Sequence, residues 1–230
     1  MTRPVCDLWR DTETLLFDVE GTLVDAAPLT LRCWRETLRD FGYAASLSAL
    51  QSLSGMDGNE MLSTLFPAMD AGERDRIVAR EGETFKQRYC GRVKPFAGVA
   101  RLFALLKKSG RRIALATDCS RDELERYVCV TRTAKWLDAA ACGDDVKQGK
   151  PHAGIVHAAL NALRADPSTA LMVGDTPCDA AAARGAGVFA VGVLTGGFTR
   201  KALREAGFSA ILSDLGDIAS AFQLAGARRG

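Results

Sequence analysis

Leu15-Leu16-Phe17-Asp18-Val19-Glu20-Gly21-Thr22-Leu23 sets an apolar run, two carboxylates two positions apart and a glycine side by side. The run is short and apolar enough for a strand buried on both faces. In a strand that continued, Asp18 and Glu20 would share a face. Gly21 supplies backbone freedom for a sharp turn, which would hold both acids and several amide N–H groups over the carboxyl edge of a sheet. The same acids also suit the start of an ordinary loop, so the wider pattern has to decide.

Outward from this stretch, further short apolar runs alternate with longer helical patterns, the signature of a parallel sheet with helices on its faces. The expected strands are Leu15–Val19, Arg112–Thr117, Ala139–Cys142, Ala170–Val173, Val188–Val193 and Ala210–Leu212. Between Pro28 and Pro95 no strand is predicted, only helices over Leu29–Phe41, Asp57–Phe66 and Ala71–Tyr89. Proline lies beside the change of pattern at both edges, in Asp25-Ala26-Ala27-Pro28 and Arg92-Val93-Lys94-Pro95. The expected organisation is therefore an α/β domain of residues 1–25 and 95–230, interrupted by an all-helical domain of residues 26–94.

Composition narrows the function. The chain has 230 residues, 47% hydrophobic and 25% charged, ordinary values for a globular protein with a sizeable core. Thirty basic against twenty-eight acidic side chains give +2, too little field to hold a nucleic-acid backbone or an anionic membrane. Any anionic partner must be gripped locally. The start lacks an apolar secretory core, and Val188–Leu194 is too short to span a bilayer. Seven cysteines, odd in number and never spaced as C-x-x-C, suggest free thiols and a cytoplasmic location.

Three more short motifs fall at predicted strand ends or helix starts. Thr117-Asp118 closes the second strand, where a hydroxyl and backbone donors could bind a phosphate oxygen or simply cap a turn. Gly149-Lys150-Pro151 precedes a helix expected over His152–Arg164, with the proline in its favoured early position. Gly174-Asp175-Thr176-Pro177-Cys178-Asp179 carries another pair of acids out of a strand.

The order D-x-E-G-T-L, Thr, K-P, G-D-x-x-x-D resembles the haloacid dehalogenase superfamily over nearly the whole chain. Pro95-Phe96-Ala97-Gly98-Val99, Gly143-Asp144-Asp145-Val146 and the later Thr-Gly-Gly-Phe look like the phosphoglycolate phosphatase and β-phosphoglucomutase subgroup. The resemblance implies a Rossmann-like three-layer α/β/α core with a helical cap after the first motif. It implies hydrolysis of a small phosphorylated metabolite, by a monomer or homodimer, through an aspartyl-phosphate on Asp18. By position, Asp18, the Glu20 carbonyl, Asp175 and Asp179 would serve magnesium, Lys150 would neutralise charge, and Thr117 and Asp118 would bind the phosphoryl group. A 2-haloacid dehalogenase and a catalytically silent binding protein on the same fold are the alternatives. The dehalogenase branch uses no magnesium and would not need Gly174-Asp175.

Glu20 departs from the family pattern, where the second acid is usually Asp. Glutamate offers the same acid–base chemistry with its carboxyl one methylene further out. On the sequence alone, Glu20→Asp is expected to release phosphate faster. Leu53-Ser54-Gly55-Met56-Asp57-Gly58-Asn59 is the candidate specificity loop, although Asp57 also suits a helix N-cap. His152 and His157 read as surface or packing residues, and Cys119 and Cys178 as packing or turn residues.

Overall fold

The computed structural model describes residues 5–227. The first half runs α1 (Val5–Asp11), β1 (Thr14–Phe17), β2 (Val24–Asp25), α2 (Ala27–Asp40), α3 (Leu47–Ser52), α4 (Gly58–Leu65), α5 (Ala71–Arg88), β3 (Lys94–Pro95), α6 (Val99–Lys108) and β4 (Arg112–Ala116). Then follow α7 (Arg121–Thr131), β5 (Ala139–Ala141), α8 (Gly154–Leu163), β6 (Ala170–Gly174), α9 (Pro177–Gly185), β7 (Phe189–Val193), α10 (Arg200–Ala206), β8 (Ala210–Leu212) and α11 (Leu215–Ala227).

The six expected strands form one parallel sheet in the order β5-β4-β1-β6-β7-β8. β1 is central, with Leu16 aligned to Ala114 on one side and to Met172 on the other. Strand alternation splits the apolar side chains between the two faces. Leu15 and Phe17 point into a core shared with Phe103 and Leu106 of α6, Tyr127 of α7 and Ile218 of α11. Leu16 and Met172 point the other way, against Ile155 and Val156 of α8 and Ala182 and Ala183 of α9. Helices thus cover both faces, and the neighbours of β1 lie where the chain reverses direction across the sheet, the place where such sheets gather ligand-binding groups.

The strand β1 stops at Phe17, two residues short of expectation. The reason is the turn that follows: the carbonyl of Val19 accepts hydrogen bonds from Thr22 (3.3 Å), Leu23 (2.7 Å) and Val24 (3.0 Å), and Gly21 has φ +82°. The chain doubles back as β2, which pairs antiparallel with β3. Between those two short strands it is helical apart from its turns, with a core of its own built from Leu38, Leu50, Met61, Leu62, Met69 and Ile77. Ser46, Asp57 and Asp70 cap α3, α4 and α5 with side-chain oxygens. Helix α3, six residues long, is too short to announce itself by periodicity.

The helix expected from His152 begins instead at Gly154, and Pro151 lies in the loop before it after a cis peptide bond. The backbone of Lys150 is committed elsewhere. Its N–H donates to the Asp118 carboxylate and its carbonyl accepts from Asp57 N–H, so the carbonyl that would accept a first helical bond already has a partner.

Leu16 is wholly buried in the central strand. Leu16→Ala should lower unfolding free energy by about 2–5 kcal/mol, read from urea denaturation, through lost burial and a residual cavity.

Candidate active site

Asp18 leaves the carboxyl end of β1 with its N–H bonded to the Val173 carbonyl at 2.9 Å. This places its carboxylate beside the end of β6, where Asp175 and Asp179 leave that strand. Lys150 reaches into the same spot and is itself 2% exposed. Its Nζ donates to Asp18 Oδ1 at 2.5 Å and to Asp179 Oδ1 at 2.8 Å. Asp179 also completes the N-terminal capping box of α9: its Oδ2 accepts from Thr176 N (3.0 Å), Thr176 Oγ1 (2.8 Å) and Asp175 N (3.2 Å). Thr22 Oγ1 donates to Asp175 Oδ1 at 2.7 Å, tying the turn after β1 to the loop after β6.

The structure therefore brings Asp18, Lys150, Asp175 and Asp179 together as a buried set. One carboxylate oxygen from each of Asp18, Asp175 and Asp179 lies within 4.8 Å of the others. Burial pushes the Asp18 carboxyl up to about 7, offset by Lys150 and reinforced by Asp179. Burial, then Asp18 and Asp179, hold Asp175 well above the usual carboxylate range. Desolvation works against the charge on Lys150, but Asp179, Asp18 and Asp118 outweigh it and raise the ammonium well above its ordinary value. Three carboxylates share one lysine, so the cluster is short of positive charge. Three hard oxygens so close together fit a hard divalent cation such as magnesium. Glycines make the room: a Cβ at Gly196 would sit 1.5 Å from Asp175 Oδ2, and one at Gly21 2.3 Å from it.

Glu20 stands apart from this set. Its Oε1 accepts from the Tyr127 hydroxyl at 2.8 Å, a partner contributed by α7. Burial and then Glu123 push the Glu20 carboxyl up to about 8, with Tyr127 pulling the other way. Thr117 is buried at the end of β4, and its Oγ1 accepts a long 3.5 Å bond from Cys119 N–H. The Asp118 carboxylate turns to Lys150 N (3.0 and 3.2 Å), so it anchors the lysine loop.

Above these groups lies a cleft of about 280 Å³, roofed by α2 to α5. Asp18, Glu20, Thr117, Asp118 and Lys150 line its floor; Leu53 to Gly58, Trp34, Glu81 and Phe85 line the roof. Asp57 caps α4 as its sequence allowed, accepting from Asn59 N at 3.0 Å, and its loop also borders the cleft. Roof and floor touch through Asp57 N–H to Lys150 O (3.1 Å), Gln51 Nε2 to Gly196 O (3.2 Å) and the His152–Glu60 pair (2.6 Å). His152 is thus a surface residue with an acid partner that its sequence neighbours did not reveal. Burial raises Cys119 far above, and Cys178 to about 12, so both thiols stay protonated.

Sequence reading missed Tyr127 and Glu81, each a lone polar residue in a helix without a motif. Their signal is only the register that turns them inward.

A family profile described as haloacid dehalogenase-like hydrolase matches residues 15–193. The chain belongs to the haloacid dehalogenase-like hydrolases. Among its similar relatives is the validoxylamine A 7'-phosphate phosphatase of Streptomyces hygroscopicus subsp. limoneus, 27% identical over 88% of this chain and 94% of that one. Another is the phosphoglycolate phosphatase of Caulobacter vibrioides, 26% identical over 90% of each chain. A hydrolase from Pseudomonas syringae shares the fold of this haloacid dehalogenase-like chain with a TM-score of 0.85, 24% identity and coverage of 91% and 97%. Among the described residues of this family member, no helix is long and apolar enough to cross a membrane.

Glu81 gives the site a pH signature. Burial pushes it from an ordinary 4.5 up to about 8; the Cys33 thiol lowers it, and Glu20 and Glu123 raise it further. At pH 4 it is protonated in folded and unfolded chains alike. As pH rises between the two values only the unfolded chain ionises, so the fold loses about 1.4 kcal/mol per pH unit. Glu81→Gln should therefore leave stability unchanged at pH 4 and raise it by roughly 2–4 kcal/mol at pH 8, measured by urea denaturation. An equal difference at both pH values would contradict this.

Proposed function

We propose that this chain is a magnesium-dependent phosphatase of a small phosphomonoester, with residues 26–94 acting as a cap over a core of 1–25 and 95–230. The observation that carries the reading is the buried Lys150 ammonium held between Asp18 and Asp179 under the helical roof. A lone carboxylate repels a phosphate dianion, and Lys150 offsets part of that repulsion at the attacking atom. Magnesium, with Asp18, Asp175 and Asp179 as its holders, would supply the remaining positive charge.

An Asp18 carboxylate oxygen attacks phosphorus, the bond to the ester oxygen breaks, and the leaving oxygen takes a proton from Glu20. The carboxyl of Glu20, raised to about 8, carries that proton at neutral pH. In the second step the deprotonated Glu20 takes a proton from water as it attacks the aspartyl-phosphate, releasing phosphate and restoring both carboxyl groups. Thr117 and the amides beyond it face the phosphoryl oxygens. Lys150 stays charged throughout because its acid partners hold its proton. Phosphatase relatives on either side of the substrate range, one named for a phosphorylated pseudo-sugar and one for phosphoglycolate, support the reaction class.

Phosphate release from a panel of metabolite esters should require magnesium and should vanish in Asp18→Asn. Turnover without a divalent cation, or surviving that substitution, would overturn the mechanism. The Tyr127 contact reverses the expectation for Glu20→Asp. The shorter arm withdraws the carboxyl from Tyr127 and leaves a buried hydroxyl without its acceptor. Glu20→Asp should therefore lower kcat by tenfold or more, and Tyr127→Phe should shift the alkaline limb of the kcat profile.

A further inference from the structure

The floor of the cleft accounts for a phosphoryl group; the roof has to meet whatever that group is attached to. The apolar residues of the roof divide by exposure. Leu38, Leu50, Leu62 and Ile77 are fully buried and hold α2 to α5 together. Leu31, Trp34, Leu53, Met56 and Val78 pack against that core yet stay only partly buried, and all five line the cleft. They come from α2, from the loop between α3 and α4, and from α5, so three segments build one apolar wall. Apolar surface left on the cleft side of a packed core is surface that a ligand can cover.

Trp34 is the largest piece of this wall, and the fold holds it in place. Gly58 opens α4, where an added Cβ would stand 3.2 Å from Cζ2 and Cη2 of Trp34 and 3.1 Å from Cγ2 of Val78. Glycine is a poor helix residue, and here its bare backbone lets the indole close against α4 beside Val78. Polar groups of the same roof are largely spent on the roof itself. The Thr30 hydroxyl donates to the Ala26 carbonyl at 3.3 Å. The N–H groups of Ser54 and Met56 donate to the carbonyls of Gln51 and Leu53, at 3.1 and 3.2 Å. Asp57 caps α4 with its Oδ1, and its own N–H meets Lys150 at the seam with the floor. Glu81 Oε1 is enclosed by protein. Among the described residues of the roof lining, that leaves the Ser54 hydroxyl and the Trp34 indole N–H as side-chain donors, too few to match a polyol that gives up water at every carbon.

We propose that the roof selects a phosphomonoester whose leaving group presents a hydrocarbon face, cyclic or open-chain, in preference to a sugar or other polyol. The proposal deepens the phosphatase reading above and rests on it for the position of the phosphoryl group. A hydrocarbon laid on the wall removes apolar surface of both partners from water. Each hydroxyl brought against the same wall gives up its water without gaining a partner. At about 280 Å³ the cleft falls just below the usual span of ligand sites, about 300–1,000 Å³, so the leaving group is small.

Two pairs matched in carbon count and shape test this: hexyl phosphate against glucitol 6-phosphate, and cyclohexylmethyl phosphate against glucose 6-phosphate. With magnesium at neutral pH, kcat/KM of the hydrocarbon member should exceed that of its polyol partner by roughly tenfold or more, within what an apolar pocket achieves against added hydroxyls. The electron-withdrawing hydroxyls make the polyols the better leaving groups, so intrinsic reactivity works against this outcome. Trp34→Ala should cut both ratios by roughly fivefold, through slower turnover of the hydrocarbon members. Leu53→Asn, similar in size and polar, should move them the same way and carries the test if Trp34→Ala fails to fold. A merely structural loss would slow both members of a pair alike and leave their ratio unchanged. Ratios at or below one in the unaltered protein, or unmoved in the folded variants, would overturn the proposal. Acetyl phosphate separates the two levels. If neither it nor any of the four esters releases phosphate, the phosphatase reading fails. Wherever the four esters are not turned over, titration calorimetry with the unaltered protein decides selectivity on its own. Tighter binding of the hydrocarbon members, with a more negative heat-capacity change, upholds it; equal or weaker binding overturns it.

Discussion

The ammonium of Lys150, fully buried between Asp18 and Asp179, is the contact on which the rest of the site depends. Removing one partner from such a cluster leaves uncompensated charge, at a cost of about 3–5 kcal/mol. The fold answers by fixing Lys150 from every side. Asp118, at the end of β4, holds its amide; Asp57, in the helical roof, holds its carbonyl; Asp179, at the start of α9, holds its side chain. One residue thereby joins two strand ends and the roof. The parallel sheet makes this possible, since it delivers the ends of β1, β4 and β6 to one edge.

Much of this was legible in the residues. Six short apolar runs gave six strands in the anticipated places, because strands buried on both faces read as continuous apolar stretches. The four motif groups converge because each follows a strand or opens a helix at the same sheet edge. What was not legible depends on contacts between distant segments. Pro151 looked like the first turn of a helix, yet the backbone beside it is claimed by Asp118 and Asp57. Glu20 looked like an acid with too long an arm, yet Tyr127, 107 positions away, meets it at the proper distance. Helix α3 has too few residues for a period, and Glu81 has no motif at all.

The two halves of the cleft divide the chemistry between them. The floor carries strongly held charge, built from short bonds among Asp18, Lys150 and Asp179. The roof carries a buried carboxyl with one unpartnered oxygen, on Glu81, beside the apolar side chains of Trp34, Leu53, Met56 and Phe85. The first arrangement suits a group common to many substrates; the second suits the part that differs. Roof and floor meet through polar contacts, of which His152 to Glu60 is partly exposed to solvent, and through Cys33 and Phe85, which share a buried apolar cluster with Val19 and Tyr127.

Glu20 and Tyr127 have a further bearing on this division. Glu20 belongs to the turn after β1, and Tyr127 to α7, whose N-terminus is closed by Ser120 and Glu123. Neither residue is part of the helical roof. The Glu20–Tyr127 hydrogen bond therefore joins two segments of the α/β part of the chain. In the proposed reaction, the acid that would give the proton is thus oriented by a bond between segments of the α/β part, and not by the part of the cleft that meets the variable end of a substrate.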